Sequence, residues 1–367
     1  MKQITQRWLA LALGMTLALG PVASNACTSF LLPGSDGGYV YGRTLEFGLD
    51  IGSKGIAVPR GLDMKGTGVD GKPGSGLAWT TKYAAIGANG IDLPIIVDGF
   101  NEMGLAGGML YAPNISEFQE VTPSESAQSI ASYEMLVYAL TNFATVEQAR
   151  EGFRKIKVNR SPQKVFKGVV PLHLTLHDSS GKSIVIEYIG GEVQISDNPT
   201  SVLTNGPQFA WHLTNLGNYT SLSTDNPAPL KMRDATYGAP SSGAGMMGLP
   251  GDFSSPSRFL RAFFMKKNAP TKLTTQQQVI TAFHFLNNFD IPPGLVSLGG
   301  AFGGGTSGYE ITYYAAVSDL KNKVFYIRTF DNPSIQAIEM SRIDPLAKEI
   351  RYFDLQTPWQ VQKLTGQ

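Results

Sequence analysis

The 367-residue chain contains one cysteine, Cys27. If Cys27 becomes the first residue of a processed chain, it carries two reactive groups. The thiol can attack a carbonyl, and the α-amine, with an ordinary pKa of roughly 7.7–8.0, can take up and return the proton. Such a residue could open an amide through a thioester. That chemistry calls for a cation to favour the thiolate, a carboxylate to hold the amine or thiol in line, and donors for the developing oxyanion.

The first residues predict this processing. Met1 to Arg7 carry Lys2 and Arg7 and no acid, Trp8 to Gly20 form an apolar run, and Pro21 to Ala26 are small or polar. This is the three-part layout of an export signal, and the run is shorter than the roughly 20 residues that span a bilayer. Cleavage between Ala26 and Cys27 is expected, giving residues 1–26 as a removed leader and 27–367 as one domain. The mature chain is then exported, periplasmic or secreted, without membrane insertion. The alternative makes Cys27 a lipid attachment site on a tethered binding protein. Against it, Ser24 stands where lipidation signals place Leu.

Other chemistries are thinly represented. Loss of Lys2 and Arg7 takes the formal net charge from +1 to −1, leaving no basic field for nucleic acid. His173 and His177 share one strand face but have no obvious third ligand, so no metal is expected. No G-x-S-x-G elbow is present. Gly299 to Gly308 lacks the Lys-Ser/Thr ending of a phosphate loop and reads as a flexible connection. One cysteine also excludes an intrachain disulfide.

The positioning elements read as mixed α and β without a linker. Tyr39 to Arg43, Tyr83 to Gly87 and Leu93 to Asp98 are short apolar runs that suit strands. His173 to His177 and Ser183 to Tyr188 flank a turn cluster and predict a hairpin, as do Thr312 to Val317 and Val324 to Thr329. Helical spacing runs through Ile130 to Phe143, Val146 to Ile156, Arg258 to Met265 and Thr275 to Asn287. Thr145 followed by Gln148 suggests a capping box. Antiparallel sheets covered by helices, an α+β fold, are the economical arrangement.

Cys27-Thr28-Ser29-Phe30 and Tyr41-Gly-Arg-Thr-Leu-Glu-Phe47 resemble the start of the choloylglycine hydrolase family, the N-terminal nucleophile enzymes that include conjugated bile salt hydrolases and penicillin V acylases. The resemblance recurs in order at Asp98-Gly-Phe-Asn-Glu-Met-Gly-Leu105, Leu203-Thr-Asn-Gly-Pro-Gln-Phe209, Leu249 to Phe259 and Tyr313 to Asn332. It implies a four-layer αββα sandwich of two antiparallel sheets, with Cys27 as nucleophile and Arg43 beside it. Glu46 stands where the family usually has Asp; it either holds the amine or thiol or pairs with Arg43. Asn205 matches the oxyanion asparagine, though an Asn before Gly-Pro is also an ordinary turn residue. The backbone N–H near Tyr111 would be the second donor. Arg258 matches a second arginine, with a solvated helix residue as its competing reading. The segments Ala112 to Glu120 and Gly206 to Leu216 are expected to line the acyl pocket, with Trp211 as a wall or a core residue. The resemblance further implies a small-molecule linear amide such as a conjugated bile salt, penicillin V or an N-acyl homoserine lactone, no cofactor, and a homotetramer as a candidate assembly.

Overall fold

The computed structural model describes residues 26–298, 308–355, 357–361 and 363. The leader through residue 25, and all of the Gly299 to Gly308 loop except Gly308, lie outside the described residues.

Two antiparallel sheets dominate. The first runs in the order Val202–Leu203, Cys27–Pro33, Tyr39–Phe47, Tyr309–Asp319, Val324–Thr329, Gln336–Glu339, with Val296–Ser297 also paired to Tyr309–Asp319. The second has eight strands: Glu192–Asp197, Ser183–Ile189, Leu172–His177, Ala106–Tyr111, Asp98–Asn101, Ala85–Ala88, Gly55–Val58 and Arg351–Phe353. Helix α1 (Met135–Asn142) packs on the second sheet, and α2 (Val146–Phe153) joins it through the Tyr138–Phe153 ring contact. After the short α3 (Phe209–Asn215), α4 (Ser255–Lys267) and α5 (Thr275–Leu286) cover the outer face of the first sheet. The result is the expected α+β sandwich, helices outside and sheets facing each other within.

Both faces of the first sheet are therefore buried, and side-chain parity decides which layer each residue meets. Cys27 pairs with Leu45 and Ser29 with Arg43, so these four project between the sheets. Their neighbours Thr28, Phe30, Thr44 and Glu46 project toward the helices. The Phe30 ring meets Phe285 of α5 edge-on at 5.9 Å. Burying such a ring contributes about 1.5–3 kcal/mol. Gly42 makes the contact possible, because a Cβ there would lie 2.8 Å from the Phe30 ring. Gly108 does the same between the sheets, where a Cβ would meet the Tyr41 hydroxyl at 2.4 Å and block the approach of Tyr41 and Arg43 to the second sheet.

Both expected hairpins form, with Leu174 opposite Ile186 and Ala316 opposite Ile327. The strand begun at Tyr39 continues through Phe47. The helix expected from Ile130 starts only at Met135. Upstream, Ser129–Ala131 pairs in parallel with Lys157–Asn159, and the Glu134 carboxylate takes the N–H groups of Thr67 and Ala131. Those partners outcompete helical hydrogen bonds. Leu93 to Val97 is not a strand, which begins at Asp98; its apolar character serves a cavity, as shown below. Thr145 caps α2 by accepting from Gln148 N–H at 3.3 Å, while the Gln148 side chain reaches Ala144 N–H rather than closing a box on Thr145.

Candidate active site

The thiol side of the site lies between the sheets. Cys27 begins its strand, and Arg43 reaches it from the neighbouring strand with Nη2 3.4 Å from Sγ. The same nitrogen donates to the Met109 carbonyl at 2.8 Å, and Nη1 donates to the Tyr314 hydroxyl at 2.8 Å. Arg43 is fully buried. Burial alone would lower its pKa, but Tyr314, Cys27, Asp98 and Tyr41 outweigh that and hold it firmly charged. Burial pushes the Cys27 thiol up; Arg43 opposes this and Glu46 adds to it, and the balance keeps the thiol protonated while Ala26 remains attached. The Tyr111 backbone N–H lies close enough to favour the sulfur's anion, as the smallest of these influences. Asp98 is the buried acid facing Arg43, with a carboxyl raised to about 7 by burial against the pull of Arg43.

The backbone nitrogen of Cys27 faces a different set of groups. It donates to Asn205 Oδ1 at 2.8 Å. That oxygen also accepts from Arg258 Nη2 at 2.6 Å, and Asn205 Nδ2 donates to the Tyr111 carbonyl at 2.6 Å. An amide NH₂ has two donors, so one N–H of Asn205 is left for a ligand. Arg258, buried on α4, clamps the start of the chain through the Cys27 carbonyl and, at 2.8 Å, the Thr28 hydroxyl. The exposed-helix reading of Arg258 is thereby corrected. Its helix begins at Ser255, so the first turn of α4 delivers the guanidinium inward. The loop carrying Asn205 is held by two imidazoles. His173 Nε2 meets the Thr204 carbonyl at 2.8 Å, and His212 Nε2 meets the Asn205 carbonyl at 3.0 Å. Since a carbonyl only accepts, both Nε2 atoms carry the proton. Burial lowers the His212 pKa to about 4, keeping that ring neutral.

Glu46 occupies the helix-facing side, away from the Arg43 guanidinium. The two form no ion pair, because adjacent parity on one strand separates them. Burial raises the Glu46 carboxyl to about 8, opposed first by Arg258 and then by the Thr44 hydroxyl and Arg43, while Glu310 pushes it further up. Glu310 reaches the same place through a β-bulge. Thr312 pairs with Glu46 but Tyr314 pairs with Leu45, so one extra residue shifts parity between them. Glu310 and Thr312 consequently face the helices and Tyr314 faces Arg43. Glu310 accepts from the Ala26 N–H, and Glu46 N–H donates to the Ala26 carbonyl at 3.0 Å.

Beside Cys27 and Arg43 opens a small cavity lined by Leu45, Phe47, Ile95, Val97, Met109, Tyr111, Tyr133 and Phe166, among other apolar side chains. Apart from Arg43, the lining carries no charged group. A nucleophile flanked by a cation, two donors and an apolar cavity suits attack on a carbonyl that carries an apolar substituent.

Residues 27–350 match the family described as linear amide C–N hydrolases, choloylglycine hydrolase family. The chain belongs to the choloylglycine hydrolase family. It is 30% identical to a bile salt hydrolase/transferase of Clostridium perfringens over 89% of this chain and 96% of that protein. It is 28% identical to a penicillin V acylase of Pectobacterium atrosepticum, covering 94% and 88%. A solved conjugated bile acid hydrolase from Clostridium perfringens superposes with a TM-score of 0.80 at 28% identity, covering 92% of this chain and all of that one. The protein is therefore a linear amide C–N hydrolase.

In this member of the family, Cys27, Arg43, Asn205, Arg258 and the Tyr111 backbone converge as the sequence led one to expect, with Glu46 alongside. Trp211 does not. It lies 44% exposed on α3, stacks edge-on against His212, and lines neither the cavity nor the core. The cavity also takes no lining from Ala112 to Glu120 or Gly206 to Leu216; strand faces of both sheets and the loop through Ile95 build it. His173 and His177 point to protein partners, His177 to Ser183 and Thr175. Sequence reading missed Asp98, Tyr314 and His212, although Asp98 and Tyr314 stood inside segments that carried the resemblance. Glu310 gave no signal, since it follows a glycine-rich stretch and matches no motif.

Proposed function

We propose that removal of residues 1–26 during export exposes Cys27, and that the free Cys27 hydrolyses a linear amide bearing an apolar acyl group. The observation that carries the reading is the apolar cavity beside Sγ, in which Arg43 is the one charged lining residue among the described residues. In the mechanism, the α-amine takes the thiol proton and Sγ attacks the carbonyl whose acyl group fills the cavity. The tetrahedral oxyanion receives the Tyr111 N–H and the second N–H of Asn205. The ammonium returns its proton to the departing amine, and water then cleaves the thioester. Each oxyanion donor in comparable hydrolases is worth roughly 2.7–4 kcal/mol.

The lining also favours one substrate class. The phenoxyacetyl group of penicillin V or the acyl chain of an N-acyl homoserine lactone presents apolar surface to apolar walls. A hydroxylated steroid would leave hydroxyls in a lining whose only hydroxyl groups belong to Tyr111 and Tyr133, at a cost of about 1–3 kcal/mol for each one unpaired. The test is mass spectrometry of the exported protein followed by a panel of penicillin V, N-acyl homoserine lactones and conjugated bile salts. A free N-terminal Cys27 with kcat/KM at least tenfold higher on the first two is expected. A lipidated Cys27, or bile salts as the preferred substrate, would refute the respective half of the reading.

A further inference from the structure

Two buried carboxylates lie next to the Ala26–Cys27 peptide, and the reaction described above uses at most one of them. Glu46 and Glu310 are both fully shielded from solvent. Among the described residues neither oxygen of Glu46 has a partner at hydrogen-bond geometry, although the Thr44 hydroxyl lies close enough to favour its ionised form, and Glu310 has the Ala26 N–H, leaving its Oε2 unpaired. A buried carboxylate oxygen without a donor is destabilising, the more so when charged. Arg258 is the cation that acts most strongly on both, yet four of its five N–H donors are committed to Cys27, Thr28, Asn205 and Phe253, leaving one on Nη2 for three carboxylate oxygens. Three acceptor oxygens without donors thus surround the peptide group expected to be cut.

We infer that Glu310 is a positioning residue which, together with Glu46, holds the α-ammonium of mature Cys27. This rests on the proposal that Cys27 becomes the N-terminus. Cleavage removes Ala26 and with it the Glu310 donor shown here. It also replaces the single N–H of Cys27 by an amine that, once protonated, has three. One continues to Asn205 Oδ1, and the other two turn toward the carboxylates across the space that Ala26 leaves. The chemical consequence is a proton transfer: the S–H bond of Cys27 breaks, an N–H bond forms on its own amine, and the products are thiolate and ammonium. Two carboxylates beside the amine stabilise the ammonium and so make the amine a stronger base toward the thiol. The other charged and titratable groups around the pair are Arg43 on the Cys27 side, Arg258 on α4 with Asp252 before it, Tyr314 across the bulge, and Asp98 behind Arg43.

The single cysteine gives a clean readout. Protein labelled with ¹³C at the cysteine Cβ shows one signal, whose shift follows the amine and thiol titrations. Loss of the Glu310 charge makes adding a proton to the amine harder, so in Glu310→Gln the amine titration and the acid limb of kcat/KM both move down by roughly 0.5–1 pH unit. The alkaline limb moves in the same direction, kcat falls about tenfold, and KM changes less than twofold. Glu310→Asp keeps the charge and restores the limbs to the parental pH. Glu310→Met replaces Glu310→Gln if the latter does not fold, with the same shifts expected. A parent whose Cys27 amine is blocked overturns the nucleophile reading and this inference with it. A parent with free Cys27 and a Glu310→Gln titration that coincides with the parental one overturns this inference alone.

Discussion

The two faces of the first sheet treat one residue in opposite ways. Between the sheets, the Cys27 thiol meets a committed cation, Arg43, bonded to Tyr314 and the Met109 carbonyl, and beyond it an apolar cavity. Toward the helices, the backbone end of Cys27 meets carboxylates whose oxygens are unpaired among the described residues and an arginine with four of its five donors committed. Each side keeps buried polar atoms without partners among the described residues, Arg43 Nε, the Tyr41 hydroxyl and the Asp98 carboxylate on one and Glu46 and Glu310 on the other, so the difference lies in the charge each offers: a cation to the sulfur, carboxylates to the nitrogen. On the proposed mechanism the nucleophile and its base, three bonds apart, thus meet different partners on the two faces of the sheet, while Glu46 and Arg43 still act across it on each other's side.

The largest effect should come from the thiol side. Cys27→Ser, with an N-terminal serine verified, is expected to lose roughly 10³-fold or more in kcat, because a hydroxyl is a poorer nucleophile for the same base. The thermal midpoint should stay nearly constant. Retention of parental turnover would move the chemistry away from this residue altogether.

Arg43→Met tests the cation on that side. It strips Asp98 and Tyr314 of their buried partner, and breaking such an arrangement from one end costs about 3–5 kcal/mol. Turnover should fall roughly 10²-fold and the alkaline shift of the thiol should grow. A variant as stable and active as the parent would show that the thiol side does not depend on Arg43.

On the helix side, Glu46→Gln should lower kcat and kcat/KM together by about tenfold with KM little changed, since an orienting group acts on the chemical step. Glu46→Asp should recover part of the loss if charge governs, and none if reach does. The same substitution carries a stability signature. Folded Glu46 at about 8 and Glu310 at about 7 bind protons that the unfolded chain has released above its ordinary 4.5, so their contribution to stability declines as pH rises from about 4.5 to 8. His177 at about 3 and His212 at about 4 act oppositely, with stability gained as pH rises toward 6.5. Above pH 6.5 only the acids continue to titrate. A chain expressed from Ala26 should therefore lose thermal stability between pH 6.5 and 8, and Glu46→Gln should flatten that slope. An equal slope in both chains would mean that Glu46 is already ionised at pH 6.5.

The smallest effect is expected far from both sides. Trp211→Ala should leave kcat/KM within about twofold and stability within roughly 0.5 kcal/mol, as for an exposed residue without a structural role. A large rise in KM would put Trp211 back in the substrate path.

The sequence shows the thiol side better than the helix side, and the reason is physical. Arg43 and Glu46 stand in one short segment near Cys27, and Asn205 and Arg258 stand in others that keep their order along the chain, so residue type and spacing suffice to find them. The faces they occupy are less visible. Period-two alternation sets Glu46 apart from Arg43, yet the familiar proximity of an acid and an arginine three residues on suggests a pair. Glu310 meets Ala26 across 284 residues of chain, and nothing local marks that meeting. Apolar periodicity also misleads where it serves a purpose other than secondary structure. Ile95 and Val97 are apolar to line a cavity, and Ile130 is apolar because its short strand is buried, so the first run forms no strand and the second begins its helix only at Met135.

The bulge between Thr312 and Tyr314 has a consequence for how this site can vary. It works as a switch of address: upstream of it, even-numbered residues belong to the helix layer, and downstream they belong to the space between the sheets. Deleting one residue there, a change that would pass as conservative in a loop, would reverse the address of everything on one side. Either Tyr314 would abandon Arg43 or Glu310 would be driven in between the sheets. Point substitutions can adjust the strength of each partner, but the length of this strand determines which atom of Cys27 each partner serves.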